Sequence, residues 1–254
     1  MTPRFLRAFA LALPAAGLLA CGGSDARPQA AAESASEAVD AAAAPPAQAL
    51  AAVPPAPSRG YEVLEAGMRS APAGVEVTGK VVDGFRWRDR SGENLVLLAE
   101  TGEIPSRAPV DCEEGCRDGE VYAYHLVKSG AAWRQLWRVT DFIRDCDLDL
   151  KADFVAGSLQ VTDLDEDGIA ESTFQYTLGC RGGVDPGIRK LIMHEGASKY
   201  AIRGTTDISR MVGKEYGGGE RNVDPAFDQA PAALRAHALA QWQEYIRKGD
   251  MGDP

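Results

Sequence analysis

The chain is poor in the residues that most often carry catalysis. Its 254 residues include only three histidines, His125, His194 and His237, which leaves few candidates for imidazole general-base chemistry. There is no GxSxG nucleophile elbow and no GxxxxGK[ST] phosphate loop, and Gly217 to Gly219 are not followed by the lysine and hydroxyl such a loop needs. His194-Glu195 opens like the zinc-protease pattern HExxH, but position 198 is serine, so the second imidazole ligand is missing. The amino-terminal apolar run, Ala8 to Leu19, has twelve residues, short of the ~20 that span a bilayer as a helix. Between Gly22 and Ser58 there is no aromatic residue at all. Basic residues are outnumbered as well: the formal charge is −10, or −12 without Arg4 and Arg7. That balance argues against nucleic acid or an anionic lipid surface as a partner, and favours positive ligands and metal ions.

What is present begins with an address. Arg4 and Arg7 precede the short apolar run, which reads as an export signal over residues 1–20. Leu18-Leu19-Ala20-Cys21 resembles the lipobox of bacterial lipoproteins. That resemblance implies cleavage before Cys21, acylation of its thiol, and a membrane partner held through the lipid, since several acyl chains anchor stably where one does not. Gly22 in place of aspartate resembles the outer-membrane sorting rule of Gram-negative lipoproteins.

Residues 21–58 then form the lipidated cysteine and an alanine- and proline-rich tether, too poor in bulky apolar groups to fold alone. As a flexible coil the tether would span about 30 to 35 Å. Residues 59–254 contain all four tryptophans and are long enough for one domain with a sizeable core.

With Cys21 set aside, cysteines remain at 112, 116, 146 and 180, an even number in a chain expected to be exported. In DCDLDL the acids Asp145, Asp147 and Asp149 alternate with Cys146, Leu148 and Leu150, as on a strand with one apolar face; Phe174, Tyr176, Leu178 and Cys180 alternate likewise. Two inward sulfurs favour a Cys146–Cys180 bridge. Cys112 and Cys116 lie in a polar segment where Gly115 permits a short closure.

Strand pairs around turns dominate the domain. Val75–Val82 alternates, and hairpin turns are expected at Ser91-Gly92, Ser129-Gly130 and Glu195-Gly196. Near the end, Leu234, Leu239, Trp242 and Ile246 recur at helical spacing after Pro231, while Gly213 to Pro225 reads as an irregular loop. The expected fold is mainly β: an antiparallel meander of hairpins forming a curved sheet or sandwich, with a C-terminal amphipathic helix packed on it. A partial propeller-like arrangement is the alternative.

The densest chemistry is VTDLDEDGIAEST, with five carboxylates between Asp163 and Glu171. Asp163, Asp165 and Asp167 stand at positions one, three and five, Gly168 at six can close the turn, Ile169 at seven can offer its carbonyl, and Glu171 stands at nine. Position twelve is Phe174 and the flanks alternate as strands, which excludes an EF-hand. The pattern resembles the strand-loop-strand DxDxDGxxD/E sites of FG-GAP and related β-propeller repeats. That resemblance implies a structural calcium ion.

The order TDLDEDGIAESTFQY, CRGGVDPGIRKLIMHEG, KYAIRGTT resembles, over residues 141–206, an exported bacterial family labelled surface-polysaccharide biosynthesis proteins. It implies an envelope role with a polysaccharide or envelope-protein partner, and brings no catalytic residues with it. The expectation is therefore a lipid-anchored, noncatalytic binding or accessory protein of the cell envelope braced by calcium. Alternatives are a glycan hydrolase using carboxylates from Asp145, Asp147 and the acidic loop, and an inhibitor or immunity-type protein.

Overall fold

The structure, a computed structural model, describes residues 60–107 and 115–249. Cys21, the signal, the tether and Cys112 lie outside the described residues.

Two antiparallel sheets face each other. The first is a five-stranded meander in chain order: β1 (Glu62–Ala66), β2 (Lys80–Asp89), β3 (Gly92–Pro105), β4 (Arg117–Ser129) and β5 (Ala132–Cys146). Its hairpin pairings run Asp89↔Gly92 and Ser129↔Ala132, where the turn residues predict them. The second sheet contains β6 (Asp149–Phe154), β7 (Gln160–Thr162), β8 (Glu171–Arg181), β9 (Ile188–Glu195), β10 (Ser198–Thr205) and β11 (Arg221–Val223). Its order is β11-β10-β9-β8-β6, with β7 pairing the start of β8.

Alternation along each strand builds the layers, because successive side chains point to opposite faces. Trp87, Val96, Leu98, Val121 and Ala123 from the first sheet meet Phe174, Tyr176, Leu178 and Ile192 from the second in the central core. The intervening residues of β9 and β10, Leu191, Met193, Tyr200 and Ile202, form the opposite face and are covered by Phe227, Leu234, Ala238 and Trp242. Those covering residues come from a short 3-10 turn (Pro225–Asp228) and from α2 (Ala232–Tyr245), which follows the single-turn α1 (Ser209–Val212). The outer face of the first sheet, with Leu95, Leu97, Tyr122 and Tyr124, is covered by Met68, Ala71, Val75 and Val77. The architecture is a mainly β, antiparallel one with a C-terminal helix. It is not a closed barrel or a propeller, since the sheets pack face to face around a shared core.

Three local expectations are corrected. The strand expected from Val75 starts only at Lys80: Gly79 adopts φ 84° and lies so close to the backbone of Glu100 that a Cβ would sit 2.6 Å from its carbonyl oxygen. Val75 and Val77 thus serve as a cover layer. The segment from Gly213 to Pro225, expected to be irregular, contains the short edge strand β11. Finally, Asp145, Asp147 and Asp149 do not share a strand face. Cys146 ends β5, residues 147–148 turn, and Asp149 begins β6; Asp145 has φ 51°, the left-handed backbone that starts this corner.

The Cys146–Cys180 bridge forms as expected, with Cα atoms 5.6 Å apart. It ties the end of β5 to β8 and so links one sheet to the other. Cys116 is disulfide-bonded.

Candidate metal centre

The acidic loop connects β7 to β8, and its backbone is folded by its own carboxylates. Asp163 accepts from the Gly168 N–H at 3.2 Å, Asp165 from Asp167 at 3.3 Å, and Asp167 from Ile169 at 2.7 Å. Glu171 accepts from the Leu164 N–H at 3.1 Å and from the Thr162 hydroxyl at 2.9 Å. Gly168 takes the expected left-handed conformation at φ 81°, and Glu166 joins it at φ 59°. Side-chain acceptors for turn N–H groups are what Asp supplies readily; here they also draw the carboxylates inward.

The loop rests on the tip of the β2–β3 hairpin. The Arg90 N–H donates to the Gly168 carbonyl at 2.9 Å, and the Ala170 N–H donates to Asp89 at 3.1 Å. Gly60 also lies against the loop, where an added Cβ would lie 1.8 Å from an Asp163 oxygen. The loop is therefore seated between fixed backbone elements.

Two carboxylate trios result. Asp163, Asp165 and Glu171 bring one oxygen each within 4.8 Å of one another, and so do Asp165, Asp167 and Glu195. Either cluster could coordinate a divalent metal ion. Of the five predicted site residues, four acids converge; Ile169 brings no acidic side chain, and its expected part is a backbone carbonyl. Glu195 is a member that the loop pattern does not reveal. It ends β9 directly opposite Glu171, and the signal that could identify it is the β8–β9 register, which needs the intervening residues 182–187 to be placed first.

Charge compensation is scarce. Among the described residues the one ion pair to the loop joins Arg90 and Asp167, at 3.4 Å and largely exposed, so it is weak in water. Glu171 is completely buried, and its carboxyl is pushed up to about 7 by that burial, against the hydrogen bonds from Thr162 and Leu164, with the charge of Asp165 adding to the rise. Glu195 is also raised, by burial first and then by Asp165, Asp167 and Asp163. Oxygen-only donors in this number suit a hard cation.

No histidine joins either carboxylate trio. His125 is buried and contacts Asn94 at 2.9 Å through Nε2; burial holds its pKa down to about 4. His194 is buried and stacks on Trp137 with ring centroids 4.0 Å apart, on the face of β9 opposite to Glu195. Trp87 is in the core and donates from Nε1 to Asp89 at 2.8 Å. His237 is half-buried on α2. No helix among the described residues is long and apolar enough to cross a membrane.

No family model, no curated protein and no solved structure matches the chain.

Proposed function

We propose that this chain is a lipid-anchored envelope protein whose acidic loop binds calcium as a brace for a noncatalytic binding or accessory domain serving surface polysaccharide. The observation that carries the metal part is the convergence of Asp163, Asp165 and Glu171 within 4.8 Å, with Glu171 wholly buried. Bringing uncompensated carboxylates together in a partly dry site costs free energy that a bound dication offsets. Calcium is preferred over magnesium because an irregular, all-oxygen donor set suits a cation that takes six to eight ligands, whereas magnesium demands a tight octahedron and holds its waters. The ion's role is structural, because the acids it would bind also accept from N–H groups of their own loop. Holding them fixes the β7–β8 turn and, through Asp89 and Arg90, the neighbouring hairpin.

The anchoring part rests on the resemblance at Leu18–Cys21, and the polysaccharide part on that over residues 141–206. Calorimetric melting of the full chain with calcium and with chelator tests the brace: a rise of several degrees with calcium supports it, and coincident curves oppose it. Incorporation of labelled fatty acid in cells, lost in Cys21→Ala, tests the anchor.

A further inference from the structure

The edges of the two sheets differ in what they leave open. β1, β6 and β11 are 5, 6 and 3 residues long, and edge strands this short offer little to a passing chain. β5, the last strand of the first sheet, is 15 residues long and pairs only with β4 among the described residues. It contains neither proline nor glycine, the residues that commonly interrupt an edge. Beyond a bulge at Leu136 its ladder runs without a break from His125↔Trp137 to Gly119↔Ile143. The Phe142 N–H donates to the adjacent Asp141 carboxylate at 3.1 Å, so it faces away from β4. In an antiparallel ladder alternate residues turn both backbone groups to the same side, which puts the N–H and C=O of Arg138 and Thr140 on the open edge.

The second sheet extends past this edge. Trp137 stacks on His194 and Asp141 pairs with Lys190, so β5 lies over β9, and β10 is the next strand. Ala201 of β10 is buried in the central core; Lys199 and Arg203, two residues to either side, share its face yet are exposed. The first sheet is one strand short here. A strand added to β5 would lie above β10.

The opening is positively charged. Lys190 is taken by Asp141, and Arg203 by Asp224 at 3.1 Å. Arg138 and Lys199 have no carboxylate partner among the described residues, in a chain of formal charge −10. Arg138 borders one face of an added strand, and Lys199 underlies the other.

We propose that the free edge of β5 captures an extended acidic segment of another polypeptide as an additional strand. Main-chain hydrogen bonds to Arg138 and Thr140 supply affinity, and the Arg138 and Lys199 side chains select acidic residues on its two faces. A second copy of this chain fits less well, because a second β5 would bring another unpaired Arg138 and no acid to meet the first. The inference goes beyond the calcium brace and uses none of its ligands.

Titration of the full chain with blocked peptides, followed by amide hydrogen exchange, tests this. The probe repeats Thr-Thr-Glu-Glu three times, which places acids on both faces of a strand. One control has lysine for every glutamate; the other is N-methylated at every threonine and so lacks ladder donors. The acidic peptide should bind at least about tenfold tighter than either control and slow exchange at the Arg138 and Thr140 amides. Thr140→Pro should abolish binding, since the lost N–H points away from β4 and the existing ladder keeps its bonds. Arg138→Gln and Lys199→Gln should each weaken binding several-fold. All three side chains are exposed, so unchanged melting curves will show that the variants fold; if Thr140→Pro melts lower, the charge variants and the exchange data decide. No binding of the acidic peptide, equal binding of either control, unchanged affinity in both charge variants, or a dimer in sedimentation whose Arg138 and Thr140 amides already exchange slowly would each overturn the proposal.

Discussion

Glu171 and Glu195 stand directly opposite each other across β8 and β9. The residue that closes the acidic loop thus faces the one that precedes the next hairpin turn, and each belongs to a carboxylate trio that includes Asp165. Directly opposed like charges destabilise an antiparallel pair. A dication held by these groups would turn that repulsion into a cross-strand link.

Asp165→Asn should therefore reduce the calcium response most, because both trios lose a member. An ion at one hundred times its Kd stabilises by about 2.7 kcal/mol, or a melting shift of roughly 5 to 10 °C for a domain of this size. Scanning calorimetry should show most of that shift gone in the variant, with the chelated proteins melting at similar temperatures.

Gly60→Ala probes the same site from outside the loop. The new methyl would occupy the space of an Asp163 oxygen, 1.8 Å from its centre, so Asp163 must move away. Calcium affinity is expected to fall by about tenfold, roughly 1.4 kcal/mol, while urea unfolding of the chelated protein changes little because Gly60 is exposed.

Acid should weaken the fold through His125. Its folded pKa is depressed to about 4 by burial, against about 6.5 in an unfolded chain. Between those values the unfolded state binds the extra proton, so stability is full above pH 6.5 and declines as the pH falls toward 4. The loss attributable to this ring is about 2 kcal/mol at pH 5. Urea midpoints of the wild type and His125→Gln, compared between pH 7.5 and 5, should show a shallower decline in the variant.

The Cys146–Cys180 bridge closes a 34-residue separation between the two sheets. The chain-entropy relation gives it about 4 kcal/mol. The double variant Cys146→Ala, Cys180→Ala should lose about that much in equilibrium denaturation, and reduction of the wild type should cost at least as much, because it also opens the disulfide of Cys116.

The hairpins and the terminal helix are legible in the sequence because alternation, turn residues and helical spacing are local signals. Trp242 and Leu234 can be assigned to a buried helix face from spacing alone. The inward sulfurs of Cys146 and Cys180 are legible too, although the row Asp145–Asp149 misleads: a strand and a tight corner give the same alternation, and only the left-handed Asp145 distinguishes them. Val75 and Val77 alternate like a strand yet form a cover layer, because Gly79 meets the Glu100 backbone, a long-range fact. Four acids of the site are visible in one loop. Glu195 depends on the β8–β9 register, which arises only when the strands pair.

Elemental analysis of the full chain, equilibrated with excess calcium and freed of unbound ion, is the most direct measurement of whether the β7–β8 loop is a cation site. About one calcium per chain, absent in Asp165→Asn, is the expected result. A wild-type protein that retains no stoichiometric metal would contradict it, and water alone would then be what separates these carboxylates.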